Sequence, residues 1–334
     1  MEFLGHRIQA CLYIIHRSAC AIFVLFLLLP APGISAGKTV SFLPQWVPQA
    51  QFAGYMVAKQ KGFYDEMNLD VTLLKGGPEL NSFFHLAANE ATFCSGWLSE
   101  AIQQRDSGIR VVNLAQIVRQ SSLMLVAKKK HQINTLADLN GRKIGFWMGE
   151  FSIPLRALIF KHDLTVQLVP NYTTITILHR DAVDAMTAMW YNEYHRLVLS
   201  GYDPEELSVF RFSELGVDFP EDGIYCLEET YLANPDMCGD FVSASLKGWL
   251  YAFDHEEEAL DIVMAHAAAA NTGTNRAHQR WMLARMKDLI LDAETPGRVG
   301  VLDREDYMNV GRELKRMYMI HVLPDFDLFY RGQN

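Results

Sequence analysis

The sequence predicts an α/β protein of two lobes, crossed twice by the chain and finished by a helical C-terminal region. Three observations carry this. Strand-like apolar runs alternate with amphipathic helical stretches through most of the chain, which favours parallel or mixed sheets with helices on both faces. A second such series opens after the charged run Lys128-Lys129-Lys130-His131, and a late strand-like segment at 223–227 returns to the first lobe. With 334 residues, half of them hydrophobic, the chain can bury a large core and fits two lobes better than one.

The N-terminus reads as an export signal. Arg7, His16 and Arg17 precede the apolar run 21–29, and Pro30-Ala31-Pro32-Gly33-Ile34-Ser35-Ala36 follows, with a cut expected after Ala36. The run falls well short of the ~20 residues a membrane span needs, so residues 1–36 are expected to be removed rather than to anchor the chain. Cys20 lies ahead of the apolar run and not at the cut, which disfavours a lipoprotein. Loss of Arg7, Arg17 and Glu2 moves the formal charge from −9 to −10. So acidic a chain excludes nucleic acid or an anionic membrane surface as its natural partner. A soluble periplasmic protein is expected. Cys94, Cys226 and Cys238 remain after the cut; a Cys226–Cys238 bridge and two unpaired buried thiols are both open. No Cys-x-x-Cys or His-x-x-x-His spacing points to a metal, and no cofactor is expected.

Strands are expected at 39–43, 71–74, 91–95, 110–115 and 123–127, with helices at 52–61, 81–88 and 98–107 between them. The first helix carries Phe52, Tyr55, Met56 and Ala58 on a helical period and stops at Lys61-Gly62. The run 128–131 reads as a solvated turn. A short capped helix and a Gly141 turn then lead into a strand from Ile144. A helix at 153–162, a strand at 166–169, a helix near Asp181, a strand at 185–189, a helix at 192–199 and a strand at 209–212 complete the second series. After Pro235 the chain is mostly helical, at 241–253, 256–270 and 276–291. The expected division is 37–127 with 224–334 in lobe 1 and 128–223 in lobe 2, joined by a two-stranded hinge.

In an open α/β sheet, ligands bind beyond the carboxyl ends of the strands. That rule selects Trp46 and Gln49 after the first strand, Gly77 within Gly76-Gly77-Pro78 after the second, and Trp97 with Glu100 one turn on after the third. In the second lobe it selects Glu150 within Trp147-Met148-Gly149-Glu150-Phe151, and Trp190, Tyr191, Asn192 and Glu193 within Trp190-Tyr191-Asn192-Glu193-Tyr194. Aromatic faces with a few placed polar groups suit a flat neutral or cationic heterocycle, because stacking supplies area and hydrogen bonds set orientation. The glycine turn lacks the lysine of a phosphate-binding loop, and no Gly-x-Ser-x-Gly elbow supports a hydrolase.

Several strings resemble the NMT1/THI5-like family of solute-binding proteins. They are the segment 46–64 with the strand after it, Leu136-Ala137-Asp138-Leu139-Asn140-Gly141-Arg142-Lys143-Ile144-Gly145, Tyr191-Asn192-Glu193-Tyr194, Glu221-Asp222-Gly223-Ile224-Tyr225, and Ser245-Leu246-Lys247-Gly248-Trp249. The resemblance runs from about residue 38 to about 292. It implies a periplasmic binding protein type II-like fold, adds Tyr225 to the candidate site, and implies capture of a thiamine-pathway aminopyrimidine for an ABC permease and ATPase. Cousins that bind sulfonates, other anions or flavins, and sensor domains without transport, stay open. The related pyrimidine synthases use a lysine-bound pyridoxal phosphate, a histidine and a cysteine-rich string. Here that region reads Ser95-Gly96-Trp97-Leu98-Ser99-Glu100 and the cysteine string is missing, so a binding protein rather than an enzyme is expected.

Overall fold

The computed structural model describes residues 37–172, 174–291 and 297–332. The expected signal, residues 1–36, lies outside them. The first sheet has strand order β2-β1-β3-β10-β4, built from β1 (Lys38–Leu43), β2 (Leu69–Leu73), β3 (Phe93–Trp97), β4 (Val111–Gln116) and β10 (Asp222–Leu227). The second has order β7-β6-β8-β5-β9, from β5 (Leu123–Lys128), β6 (Lys143–Phe146), β7 (Gln167–Pro170), β8 (Ala185–Met189) and β9 (Leu207–Arg211). In each sheet four strands run in one direction, three of them paired side by side as helical crossovers require. Beside them lies one antiparallel strand that the chain supplies on crossing: β10 against β3 and β4, and β5 against β8 and β9.

The crossings fall at 117–122 and 217–221. Residues 123–127, expected to end lobe 1, pair throughout with β8 and β9 of the second sheet, and residue 222 already belongs to the first. Alternation and length define a strand but not its sheet, so the boundary was legible only to within one element. The two crossing segments hold each other: the Ile117 and Val118 amides both donate to the Asp222 carbonyl (3.0 and 2.9 Å), and the Glu221 amide donates to the Val118 carbonyl (3.0 Å).

Helices cover the sheets. α1 (Ala53–Gln60) crosses α9 (Pro235–Asp254) at two glycines: a Cβ on Gly54 would sit 2.3 Å from the Trp249 ring, and one on Gly248 would sit 2.1 Å from the Gly54 carbonyl. Only glycine permits so close an approach. Between α1 and α9 lie α2 (Phe63–Glu66), α3 (Ser82–Ala87), α4 (Leu98–Asp106), α5 (Ile153–Lys161), α6 (Thr176–His179), α7 (Glu193–Leu199) and α8 (Glu228–Ala233). They are followed by α10 (Glu256–Ala269), α11 (Arg276–Ile290), α12 (Arg304–Arg316) and α13 (Phe326–Phe329). The C-terminal segment, beyond the stretch that resembles the family in sequence, touches both lobes. Gly300 accepts from the Gln116 amide at 2.9 Å, while Glu313 of α12 lies 3.7 Å from Lys161 of lobe 2.

The run 128–131 is only partly a solvated turn. Lys129–His131 forms a single 3-10 turn, but Lys128 ends β5 with its ammonium buried, 2.7 Å from Asp181 and 2.9 Å from the His179 carbonyl. Cys94, Cys226 and Cys238 are buried free thiols, with Cys226 and Cys238 in hydrogen-bond contact. Among the described residues no helix is long and apolar enough to cross a membrane.

Candidate functional site

Between the lobes lies a narrow slot with about 360 Å³ of space outside the atoms, open solvent at its mouth included. Lobe 1 contributes Gln45, Trp46, Gln49, Gln51 and Trp97; lobe 2 contributes Trp147, Phe151, Met189, Tyr191, Asn192 and Glu193. The Phe151 ring stands edge-on to both lobe 1 tryptophans, 5.4 Å from Trp46 at 88° and 5.0 Å from Trp97 at 83°. Such edge-to-face pairs are favoured by the ring quadrupoles, so Phe151 is an aromatic contact that closes lobe 2 onto the lobe 1 side of the slot.

The lobe 1 wall is wired from within. Asp222, at the start of β10, accepts from the side-chain amides of Gln45 and Gln51, the latter at 2.8 Å, and Gln49 donates to Gln51 Oε1 at 2.7 Å. Burial pushes the Asp222 carboxyl up to about 7, against the two amides that hold it down. The Ser95 hydroxyl receives the Gln45 amide proton at 2.9 Å and fixes the loop onto β3. Gln45 Oε1 and Trp97 Nε1 are buried and have no protein partner among the described residues. The wall therefore offers one open acceptor and one open donor.

On the lobe 2 wall, Tyr191-Asn192-Glu193 follows β8 directly. Glu193 Oε2 accepts the Met189 amide proton at 3.1 Å, and burial raises its pKa while that bond and its own amide lower it. Burial, followed by the charges of Glu221, Asp222 and Glu193, pushes the Tyr191 hydroxyl well above its ordinary value. Asn192 Oδ1 lies 3.0 Å from Nε2 of His278, on α11 of lobe 1. Burial, then His195 and Arg196, lower the His278 pKa to about 4. Outside the slot a polar vestibule continues past Asn192 and Glu193 to Arg196, His278 and the loop 271–275.

Of the expected residues, Trp46, Gln49, Trp97, Tyr191, Asn192 and Glu193 line the slot. Glu100 and Glu150 do not line it but meet across the lobe boundary. Glu100 accepts from Asn81 at 2.7 Å, and burial together with the Glu150 carboxyl raises it to about 8. Gly77, Trp190 and Tyr225 stand outside the slot lining. Gly77 lies outside the slot lining, and the adjacent Gly76 explains the turn: a Cβ there would fall 1.9 Å from the Pro44 carbonyl, so the turn packs against the slot loop. The half-buried Trp190 ring lies between the Arg211 and Arg285 guanidiniums, 5.0 and 4.8 Å from them. Tyr225 is buried in the first lobe against Phe83, 5.1 Å between centroids. Asp222 was missed because the strand-end rule names carboxyl ends. β10 is antiparallel, so its amino end meets the slot, with Asp222 opposite Trp97. Gln45 and Gln51 flank Trp46 and Gln49 in one loop, and their position in the sequence was the available signal. Among the described residues no group of three or more His, Cys, Asp or Glu is arranged to hold a metal ion.

A family model described as NMT1/THI5 like matches residues 49–259. The chain belongs to that family. A protein of Haemophilus influenzae named for thiamine biosynthesis is 26% identical over 205 residues, 58% of this chain and 65% of that protein, slightly under two thirds of its length. A formylaminopyrimidine-binding protein of Halalkalibacterium halodurans is 22% identical over 70% of this chain and 72% of its own length. Two further relatives, 25% and 21% identical, are named a riboflavin-binding protein (Chloroflexus aurantiacus; 73% of this chain, 71% of its own) and a 4-amino-5-hydroxymethyl-2-methylpyrimidine phosphate synthase (Legionella pneumophila; 69% and 74%). Among solved structures, the periplasmic aliphatic sulphonate binding protein of Escherichia coli superposes with a TM-score of 0.68 at 14% identity, covering 87% of this chain and 97% of that one. At that identity the likeness concerns the fold, which is the two-lobed periplasmic binding protein type.

Proposed function

We propose that this chain is the extracytoplasmic substrate-binding component of an ABC importer and captures an aminopyrimidine of the thiamine pathway between its lobes. One observation carries the reading: a buried carboxylate, Glu193, borders a narrow aromatic slot whose described lining includes no lysine or arginine. A carboxylate accepts from an exocyclic amino group, while Trp46, Trp97 and Tyr191 supply ring faces. A sulfonate in the same slot would meet carboxylates without a cation to offset them. Relatives named for thiamine biosynthesis and for formylaminopyrimidine binding support the ligand class, and the family supports a binding role. An enzyme of the synthase kind needs a lysine at its cofactor, and the slot lining offers none among the described residues. Permease and ATPase subunits are the partners this role requires, with lobe closure as the signal they read.

Titration calorimetry of the secreted protein with 4-amino-5-hydroxymethyl-2-methylpyrimidine, riboflavin and an alkanesulfonate tests the reading. The aminopyrimidine is expected to bind most tightly. Binding of the sulfonate or riboflavin alone would overturn the ligand class and keep the receptor fold.

A further inference from the structure

The polar edge of the lobe 2 wall is the dipeptide Asn192-Glu193, and its two side chains are fixed from different lobes. Glu193 is held from within its own lobe, by the Met189 amide. Asn192 is held by His278, which lies on α11, beyond the residues the family model matches. An amide oxygen only accepts, so the 3.0 Å contact from Asn192 Oδ1 requires the His278 proton on Nε2. The neutral ring then has a bare Nδ1, and that atom sits 3.0 Å from Nδ1 of His195, which must carry its own proton there. The His195 ring is stacked on Trp281, 4.5 Å between centroids and 7° from parallel, and Trp281 Nε1 donates to the Trp190 carbonyl at 3.1 Å. Both imidazole tautomers are thus fixed by neighbours.

With Oδ1 turned to His278, the Asn192 side chain has only its Nδ2 donors to give the slot, and Nδ2 has no acceptor among the described residues. We infer that His278 is a positioning residue that fixes the polarity of the Asn192 amide, so that the slot presents a donor beside the Glu193 carboxylate and selects an acceptor–donor edge. The N=C–NH2 edge of a neutral aminopyrimidine has that order. An amidinium cation, with two donors, does not, although a slot bordered by carboxylates would otherwise favour it. Without His278 the amide is free to turn, and two acceptors would then face the ligand. Because His278 and Asn192 belong to different lobes, the selective edge is assembled only when the lobes meet. This rests on the aminopyrimidine reading above.

The test compares binding of 4-amino-2-methylpyrimidine and benzamidine at pH 8 to the wild-type protein and to its His278→Leu and His278→Gln variants. In His278→Leu the preference for the aminopyrimidine over benzamidine is expected to shrink by roughly tenfold or more, the scale of one mispaired buried hydrogen bond. In His278→Gln, whose amide can reach the same oxygen, the preference is expected to be restored. A loss of affinity by the same factor for both ligands in His278→Leu would reduce His278 to a structural contact and overturn the inference. A wild-type protein that binds neither compound overturns the ligand class instead. The inference then still stands or falls on the ¹⁵N-resolved imidazole spectrum of the protein closed on whichever of riboflavin or the alkanesulfonate it binds, where His278 is expected as the Nε2–H tautomer and an Nδ1–H tautomer would refute it.

Discussion

The two walls of the slot are built on opposite plans. On lobe 1, Gln49, Gln51, Asp222 and Gln45 bond one another, so the wall keeps its shape without the second lobe. On lobe 2, Asn192 is oriented by His278 and Phe151 is seated between Trp46 and Trp97, all three partners belonging to lobe 1. One wall is preformed and the other is completed by contact. In the receptor role proposed above, this division would give the ligand a ready surface first and a selective surface on closure, tying recognition to the conformational signal.

The largest expected effect comes from breaking the preformed wall. Asp222→Ala leaves two buried glutamine amides without their shared acceptor, at about 1–3 kcal/mol for each unpaired group. Thermal unfolding of the ligand-free protein should therefore move down by several degrees, and ligand affinity should fall with it. An unchanged melting temperature would mean that the amides find other partners and that the wall is not wired as described.

Next in size is Glu193→Gln on the closing wall. The variant presents a donor where an amino-heterocycle also presents one, and affinity should drop by about 1–3 kcal/mol with little change in melting temperature. The wild-type affinity should also weaken as pH falls. Burial raises the Glu193 pKa above its ordinary 4.5, so the carboxylate that accepts the amino group is lost at a pH above that value. Calorimetry at pH 8 and pH 5.5 measures both. A Glu193→Gln variant that binds as tightly as the wild type at pH 8 would remove Glu193 from the contact.

Phe151→Ala follows. It deletes two edge-to-face contacts worth ~0.5–1.5 kcal/mol each beyond their buried area, and all of that loss falls on the closed arrangement. Small-angle scattering of the variant with ligand should show a larger radius of gyration than the wild type with ligand, at near-normal stability. A compact variant would shift the closing role to α11 and α12.

The same contrast explains what the sequence could reveal. Residues placed on the slot by local position were legible: Trp46 and Gln49 follow β1, Trp97 ends β3, and Tyr191-Asn192-Glu193 opens a helix after β8. Residues whose role is set by the partner lobe were not. Nothing in the neighbourhood of His278 marks it, because its function depends on Asn192 eighty-six positions away. Phe151 was visible only as one member of a loop from which Glu150 was chosen, since a carboxylate looks more functional than a ring until the two facing tryptophans are known. Trp190 fails for the converse reason. It sits at the right strand end, but its ring packs between Arg211 and Arg285 and stays off the slot lining.

The smallest expected effect sharpens the comparison at the margin of the slot, where Glu100 of lobe 1 meets Glu150 of lobe 2. Burial first, and the Glu150 carboxyl second, raise Glu100 from its ordinary 4.5 to about 8. Below about pH 4.5 the proton is held whether or not the protein is folded, and this group adds no pH dependence. Between 4.5 and about 8 the folded, closed protein keeps a proton that the unfolded chain has released. Each pH unit upward then costs the folded state up to ~1.4 kcal/mol, so stability falls as pH rises through this window. Glu150→Gln removes only the second cause. The decline of melting temperature between pH 5 and pH 8 should therefore become shallower in the variant without disappearing, because burial still holds Glu100 up. Wild-type and variant curves that run parallel would show that the two carboxyls do not act on one another, and that the lobes meet there without any charge penalty to closure.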